Sequence, residues 1–252
     1  LKRNLFMSMV LREELSEGIV AITLNRPESL NALSPALFSE LNQIVTELSK
    51  QTDSVGCVIL RGAGRCFSAG NDLKAVRSGV KAKEKFFQAK TIDLIEKLPQ
   101  PTIASVHGHC LTGALELALA CDLMITSESA NLADTHGKWG MVPGWGMSVR
   151  LPRRVGLLKA KEMMFTGMSI NGLQAVEIGL SSQCVADDHL KVSTLDLAES
   201  IVKNSWHTNF ADKKLFLDNE NHFHDASLKM EREQSASVAS DMHERVKQGF
   251  KS

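Results

Sequence analysis

The chain has 252 residues, 43% of them hydrophobic, enough to bury a large core in one α/β domain with room for a small appendage. Twenty-nine basic residues balance twenty-nine acidic ones, so no global field favours nucleic acid or an anionic membrane, and partners are expected in pockets. No apolar run reaches the roughly 18 residues of a spanning helix, so neither a membrane nor a nucleic acid is expected as a partner.

Gly18 to Leu24 is short and β-branched, and Asn25-Arg26-Pro27 ends it, because proline lacks a ladder donor and restricts its predecessor; the run predicts a strand. Ser34-Pro35 then reads as an N-cap and first helical residue, and Leu37, Leu41, Ile44, Val45 and Leu48 follow with a helical period to an end near Gln51. Val55 to Leu60, closed by Gly62 and Gly64, and Pro101 to Val106, closed by Gly108, predict buried strands. Leu115 to Ala120 predicts a helix and Cys121 to Thr126 a strand, an alternation that argues for α/β architecture. From Lys159 onward the balance shifts to helix, over Lys161–Phe165, Gly172–Ile178, Leu195–Val202 and a charged stretch from Asn209 to Phe250. No linker or internal repeat divides the chain.

Cys57, Cys66, Cys110, Cys121 and Cys184 are odd in number and without CxxC spacing, which points to reduced thiols and a cytoplasmic setting. The first residues lack the apolar centre of a cleavable signal, and Leu1 to Met7 are set aside in predicting the fold. Gly62-Ala63-Gly64 has Phe67 where a dinucleotide fingerprint needs its third glycine, so it reads as a turn. His107, His109, His222 and His224 have no HExxH or Cys/His cluster beside them, and no metal site is expected. No GxSxG elbow surrounds Ser68.

Three segments carry small or polar residues just after predicted strands, where open α/β sheets expose a binding crevice: Arg65 to Lys74, Gly108 to Glu116, and Asn131 to His136 leading to Val142-Pro143-Gly144-Trp145-Gly146. Glu116 stands out among them. A carboxylate one turn inside a helix start lies near backbone N–H groups without intrahelical partners, which brings a base and an oxyanion site together.

Asn25 to Leu33, Phe67-Ser68-Ala69-Gly70-Asn71-Asp72-Leu73, Gly108 to Asp122 and Pro143-Gly144 together resemble the enoyl-CoA hydratase/isomerase, or crotonase, superfamily, over roughly Val10 to Val185. The resemblance implies a spiral of ββα units over residues 8–190 and a helical oligomerisation region over 191–252, building a homotrimer or a dimer of trimers. It implies an acyl-CoA substrate, with coenzyme A present only as part of the thioester and no other cofactor. The backbone N–H groups of Asn71 and Gly113 match the oxyanion hole, where donors fixed in advance stabilise the enolate more than the substrate. Gly113 is read as leaving room for a ligand beside the main chain. Ser68, Ala69, Gly70, Asn71, Asp72, Lys74, Leu30, Gly144 and Trp145 are the positions implied for substrate and CoA binding.

Glu116 matches the first family glutamate, whereas His136 stands where the second belongs. Hydration needs two acid/base groups, and either His136, whose imidazole can act as acid and base, or Asp134 supplies the other. Glu28 occupies a position where family members carry a phosphate-binding lysine, which leaves Lys74, and after it Arg26, to hold the phosphates. Trp145 is read as lining the acyl channel, Trp139 and Asp122 as structural. Without any tyrosine, members that use a phenol donor of their own chain are disfavoured. The expected reaction is hydration of a 2-enoyl-CoA; the alternatives are a Δ3–Δ2 enoyl-CoA isomerase working with one base and a non-catalytic acyl-CoA-binding protein.

Overall fold

The computed structural model describes residues 8–79 and 83–219. Its main sheet begins with an antiparallel pair, β1 (Val10–Ser16) and β2 (Gly18–Leu24). Helix α1 (Pro35–Leu48) crosses to β3 (Val55–Gly62), parallel to β2, and α2 (Leu73–Arg77) and α3 (Phe87–Glu96) lead to β4 (Thr102–Val106), parallel to β3. A short strand β5 (His109–Leu111) and α4 (Gly113–Leu119) precede β6 (Leu123–Ser127), parallel to β4. After β7 (Asn131–Ala133), α5 (Met147–Val155), α6 (Leu157–Thr166), β8 (Ser169–Ile170) and α7 (Gly172–Glu177), strand β9 (Gln183–Val185) closes the sheet against β6. Helices α8 (Leu190–Val202) and α9 (Trp206–Asn219) come last. The main sheet runs β1-β2-β3-β4-β6-β9, and β5-β7-β8 form a second sheet.

The strands read as unbroken apolar runs because both faces of the sheet are covered. Val20, Ile22, Leu24, Val58 and Leu60 join the large core with α1, α3 and α4, while the alternate residues Ile19, Ala21, Cys57 and Ile59 face Leu190 and Ala198 of α8. A second layer assembles from short extended segments at the strand ends. Leu33 pairs with Asn71, Ser68 with Cys110, β5 with β7, and β7 with β8. Each unit therefore gives one strand to the sheet, one short extended segment to the second layer, and a helix, which is the expected ββα winding.

Several boundaries move for local reasons. The Ser34 hydroxyl caps α1 by accepting from Leu37 N at 3.2 Å, but the helix stops at Leu48, since Lys50 and Gln51 donate to Glu47 and Leu48 in tighter turns. The predicted strand at Cys121 begins at Leu123, because Ala120 and Cys121 still donate back to Leu117 and Ala118. Strand β1 escapes the sequence reading because it is an edge strand whose Leu11 to Glu14 are exposed, leaving no apolar alternation. Strands β5, β7, β8 and β9 are two or three residues long, too short to show any period.

Helix α9 is fastened to the core by Lys213, whose Nζ donates to Asp122 Oδ2 at 2.7 Å and to the Gln100 carbonyl at 3.0 Å. This gives Asp122 the structural place expected of it, together with the bonds it accepts from the backbone N–H and hydroxyl of Thr102. The remainder of the predicted helical stretch to Phe250, with His222 and His224, lies outside the described residues, as do Leu1 to Met7. All five cysteines are free, and burial pushes the Cys57 and Cys121 thiols up to about 12. No helix among the described residues is long and apolar enough to cross a membrane.

Candidate active site

The loop after β3 is held from beneath by Asn31, which is fully buried at φ 53°. Its amide donates to the carbonyls of Ala63 and Cys66 at 2.8 Å each and its oxygen accepts from Arg26 N at 2.9 Å. Ser68, also fully buried, donates to the Asn31 carbonyl at 2.8 Å and accepts from Gly70 N at 3.1 Å. In the bridge to Leu33, the partners are Gly70 O and Asp72 N. A parallel bridge of this kind aims the N–H of the middle residue, Asn71, away from Leu33.

The N-terminus of α4 meets this loop. A Cβ on Gly70 would stand 2.5 Å from Leu111 O and 3.5 Å from Gly113 N, so the two backbones are nearly in contact and only glycine fits. Gly113 is the first residue of α4, where an N–H has no intrahelical acceptor. Thr112 before it has φ 55° and ψ −112°, a conformation costing on the order of 1–3 kcal/mol in a β-branched residue. Three contacts hold it there: its N–H donates to Ala133 O at 2.8 Å, its hydroxyl bonds the Thr135 hydroxyl, and Thr135 N donates to its Oγ1 at 3.3 Å.

Glu116, one turn into α4, is 1% exposed. Its Oε1 accepts from Trp145 N at 2.8 Å and Met147 N at 3.1 Å, at the start of α5, and its Oε2 stands 3.7 Å from His136 Nε2. His136 Nδ1 lies 2.6 Å from Asp134 Oδ1, which also accepts from His136 N at 3.1 Å. Of the two residues the sequence left open, His136 faces Glu116, and Asp134 stands behind the imidazole at Nδ1. Burial pushes the Glu116 carboxyl above the usual carboxylate range, against the opposing pull of the Met147 and Trp145 N–H groups and of His136.

A cavity of about 700 Å³ opens along the Asn71 loop, and Glu116, His136 and Gly113 are not themselves on its wall. Its wall carries Leu30, Ala69, Asn71 and Lys74 on one side and Leu111, Thr112, Thr135, Trp139 and Met141 on the other, ending at the sequence neighbours of Gly113 and His136. Arg65 and Lys138 add two exposed cations that sequence reasoning missed, since nothing in the spacing of isolated surface cations marks them.

A family model described as enoyl-CoA hydratase/isomerase matches residues 14–252. The chain belongs to the enoyl-CoA hydratase/isomerase family. It is 36% identical over 189 residues to a probable peroxisomal enoyl-CoA hydratase 1 of Arabidopsis thaliana, covering 75% of this chain and 71% of the relative. It is 34% identical over 194 residues to the short-chain-enoyl-CoA hydratase of Clostridium acetobutylicum, covering 75% and 74%. The crystal structure of an enoyl-CoA hydratase from Bacillus anthracis superposes with a TM-score of 0.90 at 34% identity, over 96% of each chain, so the crotonase-like α/β fold is shared as well.

Within this enoyl-CoA hydratase/isomerase chain, several side chains do other work than expected. Ser68 and Gly70 shape the loop from inside and do not line the cavity. Asp72 lines the cavity as expected of a binding position, and it also caps α2 by accepting from Lys74 N and Ala75 N at 3.1 Å each and pairs with Arg26 at 2.9 Å. Partial burial raises the Asp72 carboxyl, but the Arg26 hydrogen bond and the two N–H donors outweigh it and hold it below the usual range. Arg26 also lines the cavity, with Lys74, Arg65 and Lys138, while its Nη1 bonds Asp72 and the Ala32 carbonyl, at 2.5 Å.

The two tryptophans exchange their expected places. Trp139 is 58% exposed on the cavity wall. The Trp145 ring packs edge-on against Phe38 at 5.1 Å, drawn inward because its own N–H binds Glu116. A Cβ on Gly113 would stand 2.5 Å from that ring, so the glycine makes room for Trp145 rather than for a ligand. Gly144 is exposed with open space around it and is not part of the cavity wall.

Proposed function

We propose that the chain catalyses the reversible addition of water to a 2-enoyl-CoA thioester, with Glu116 and His136 as its acid/base pair. The observation that carries this reading is the 3.7 Å gap between Glu116 Oε2 and His136 Nε2, both side chains being buried and Glu116 standing one turn along α4 from Gly113. One water can hydrogen-bond to both groups across such a gap, and a second proton-handling group is what separates a hydratase from a one-base isomerase.

In this mechanism Glu116 Oε2 takes a proton from water as the water oxygen bonds to C3. The electron pair of the C2–C3 double bond moves onto C2 and the thioester oxygen, forming an enolate held by the N–H groups of Asn71 and Gly113. His136, carrying a proton on Nε2, delivers it to C2 and restores the thioester carbonyl. The Glu116 proton then returns to His136 to reset the pair. Asp134 supports the imidazolium through Nδ1, and the fixed amide donors are each worth about 2.7–4 kcal/mol of barrier. Lys74, Arg65 and Lys138 hold the phosphates of CoA, while Leu30 and Ala69 shape the cavity wall around the thioester.

His136→Ala is expected to lower kcat for hydration of crotonyl-CoA by about 10²–10⁴-fold, with His136→Glu recovering part of the loss. Steady-state assays on 2-enoyl-CoA and 3-enoyl-CoA substrates provide the test. Turnover of the 3-enoyl ester alone would assign the chain to isomerisation, and binding without proton exchange at C2 in deuterated water would assign it to acyl-CoA binding without catalysis.

The trimer, alone or stacked in pairs, is part of the same proposal, with residues 191–252 contributing to it. Apolar side chains left exposed on α6 and α9, Leu158, Phe165 and Phe216, support an assembly larger than one chain. Free thiols support a cytoplasmic setting.

A further inference from the structure

We infer that Arg150 is a positioning residue for Glu116, acting through the Trp145–Met147 backbone and anchored by Asp93 and Glu96 of α3. The inference rests on the role of Glu116 proposed above. Arg150 is 8% exposed, unusual for a guanidinium. Its Nε and Nη2 fork onto the two oxygens of Glu96 at 2.7 and 2.6 Å, and Nη2 reaches Asp93 Oδ1 at 2.7 Å. Its remaining arm, Nη1, donates to the Trp145 carbonyl at 2.7 Å.

That carbonyl belongs to the segment whose N–H groups hold the acid. Trp145 N and Met147 N both donate to Glu116 Oε1, so the segment is gripped by the carboxylate on one side and by the guanidinium on the other. Between them Gly146 has φ 115°, and a Cβ there would stand 2.1 Å from Arg150 Nη1, so the grip requires glycine. With Oε1 fixed, Oε2 is the oxygen left facing His136. The charged groups around the carboxylate are His136 and Asp134 from the segment after β7; on the α5 side it meets only N–H donors. A lysine cannot replace the fork, because an ammonium is a point charge without planar, bidentate geometry.

Arg150→Lys, Arg150→Met and the milder Glu96→Gln, made in the full chain, test the inference, with circular dichroism and a thermal melt to establish the folded fraction. The Arg150 variants are expected to lose about 10–100-fold in kcat for crotonyl-CoA with KM within about twofold, and Glu96→Gln about 2–10-fold in the same direction. The acid limb of the rate profile should move to higher pH as Glu116 loses N–H donors. Folded variants with wild-type kcat and an unmoved pH profile, or with a raised KM alone, overturn the inference. If the Arg150 variants do not fold, Glu96→Gln decides by the same criteria. Glu116→Gln run in parallel separates the two readings: full activity there removes the role of Glu116 itself, whereas loss there with none in the Arg150 and Glu96 variants removes only the positioning.

Discussion

At the scale of single residues, Glu116 is a buried carboxyl whose proton is held more tightly than in the unfolded chain. Its folded-state carboxyl titrates above the unfolded value, chiefly because burial disfavours the charge. The folded protein therefore binds this proton more tightly than the unfolded chain does. The associated stability is complete below the unfolded value and is lost as pH rises through the folded one. Glu116→Gln keeps an oxygen for Trp145 N and Met147 N but carries no charge. Its melting temperature should equal or exceed that of the wild type near neutral pH, with the difference vanishing in acid, while hydration falls by about 10²–10⁴-fold. A melt lower than wild type at every pH would mean that the two N–H bonds outweigh the burial of the charge. The wild-type rate should fall on the acid side at a pH above the ordinary carboxylate range, as Glu116 takes up its proton.

At the scale of elements, the start of α4 concentrates the constraints. Thr112 is strained, Gly113 is packed under an indole, and Gly70 presses against Leu111 and Gly113, so the amide at the first helical position has little freedom. Gly113→Ala places a methyl group against Trp145, whose ring is lodged on Phe38 and whose peptide is bound at both N–H and carbonyl. The gain in helix propensity, at most about 1 kcal/mol, is smaller than an overpacking cost of about 1–3 kcal/mol with no easy relaxation. Thermal denaturation should register the loss, and kcat should fall with it because the amide proposed as an oxyanion donor is displaced. Unchanged stability and kcat would show that the ring gives way.

At the scale of the whole molecule, the sheet is covered on one face by α1, α3 and α4 and on the other by α8. Helix α8 covers that second face with Leu190 and Ala198, and Lys213 of α9 reaches the end of the sheet at Asp122, immediately before β6. Lys213→Met should cost about 1–3 kcal/mol, read from the urea midpoint, towards the lower end because Asp122 is 30% exposed and water can replace part of the bond. Since Lys213 touches no part of the cavity wall, kcat should change by less than about twofold.

Much of the fold was legible in the sequence because the central strands are buried on both faces and α1 carries its own cap. Gly18 to Leu24, Ser34-Pro35 and the runs at Val55 and Thr102 announce themselves through β-branched composition, proline and helical spacing. The ordered motifs around Asn71, Gly113 and Glu116 likewise mark segments that meet at the proposed site, since each comes after a strand and loops at strand ends are where an α/β sheet opens. What the sequence could not decide are relations between segments far apart in the chain. His136 turns towards Glu116 and Asp134 turns behind it because β5 and β7 lie side by side. Trp145 goes inward and Trp139 outward because one peptide binds a buried carboxylate and the other does not. Local propensity acts over a few residues, whereas these directions arise from hydrogen bonds and close packing that exist only once distant strands have paired.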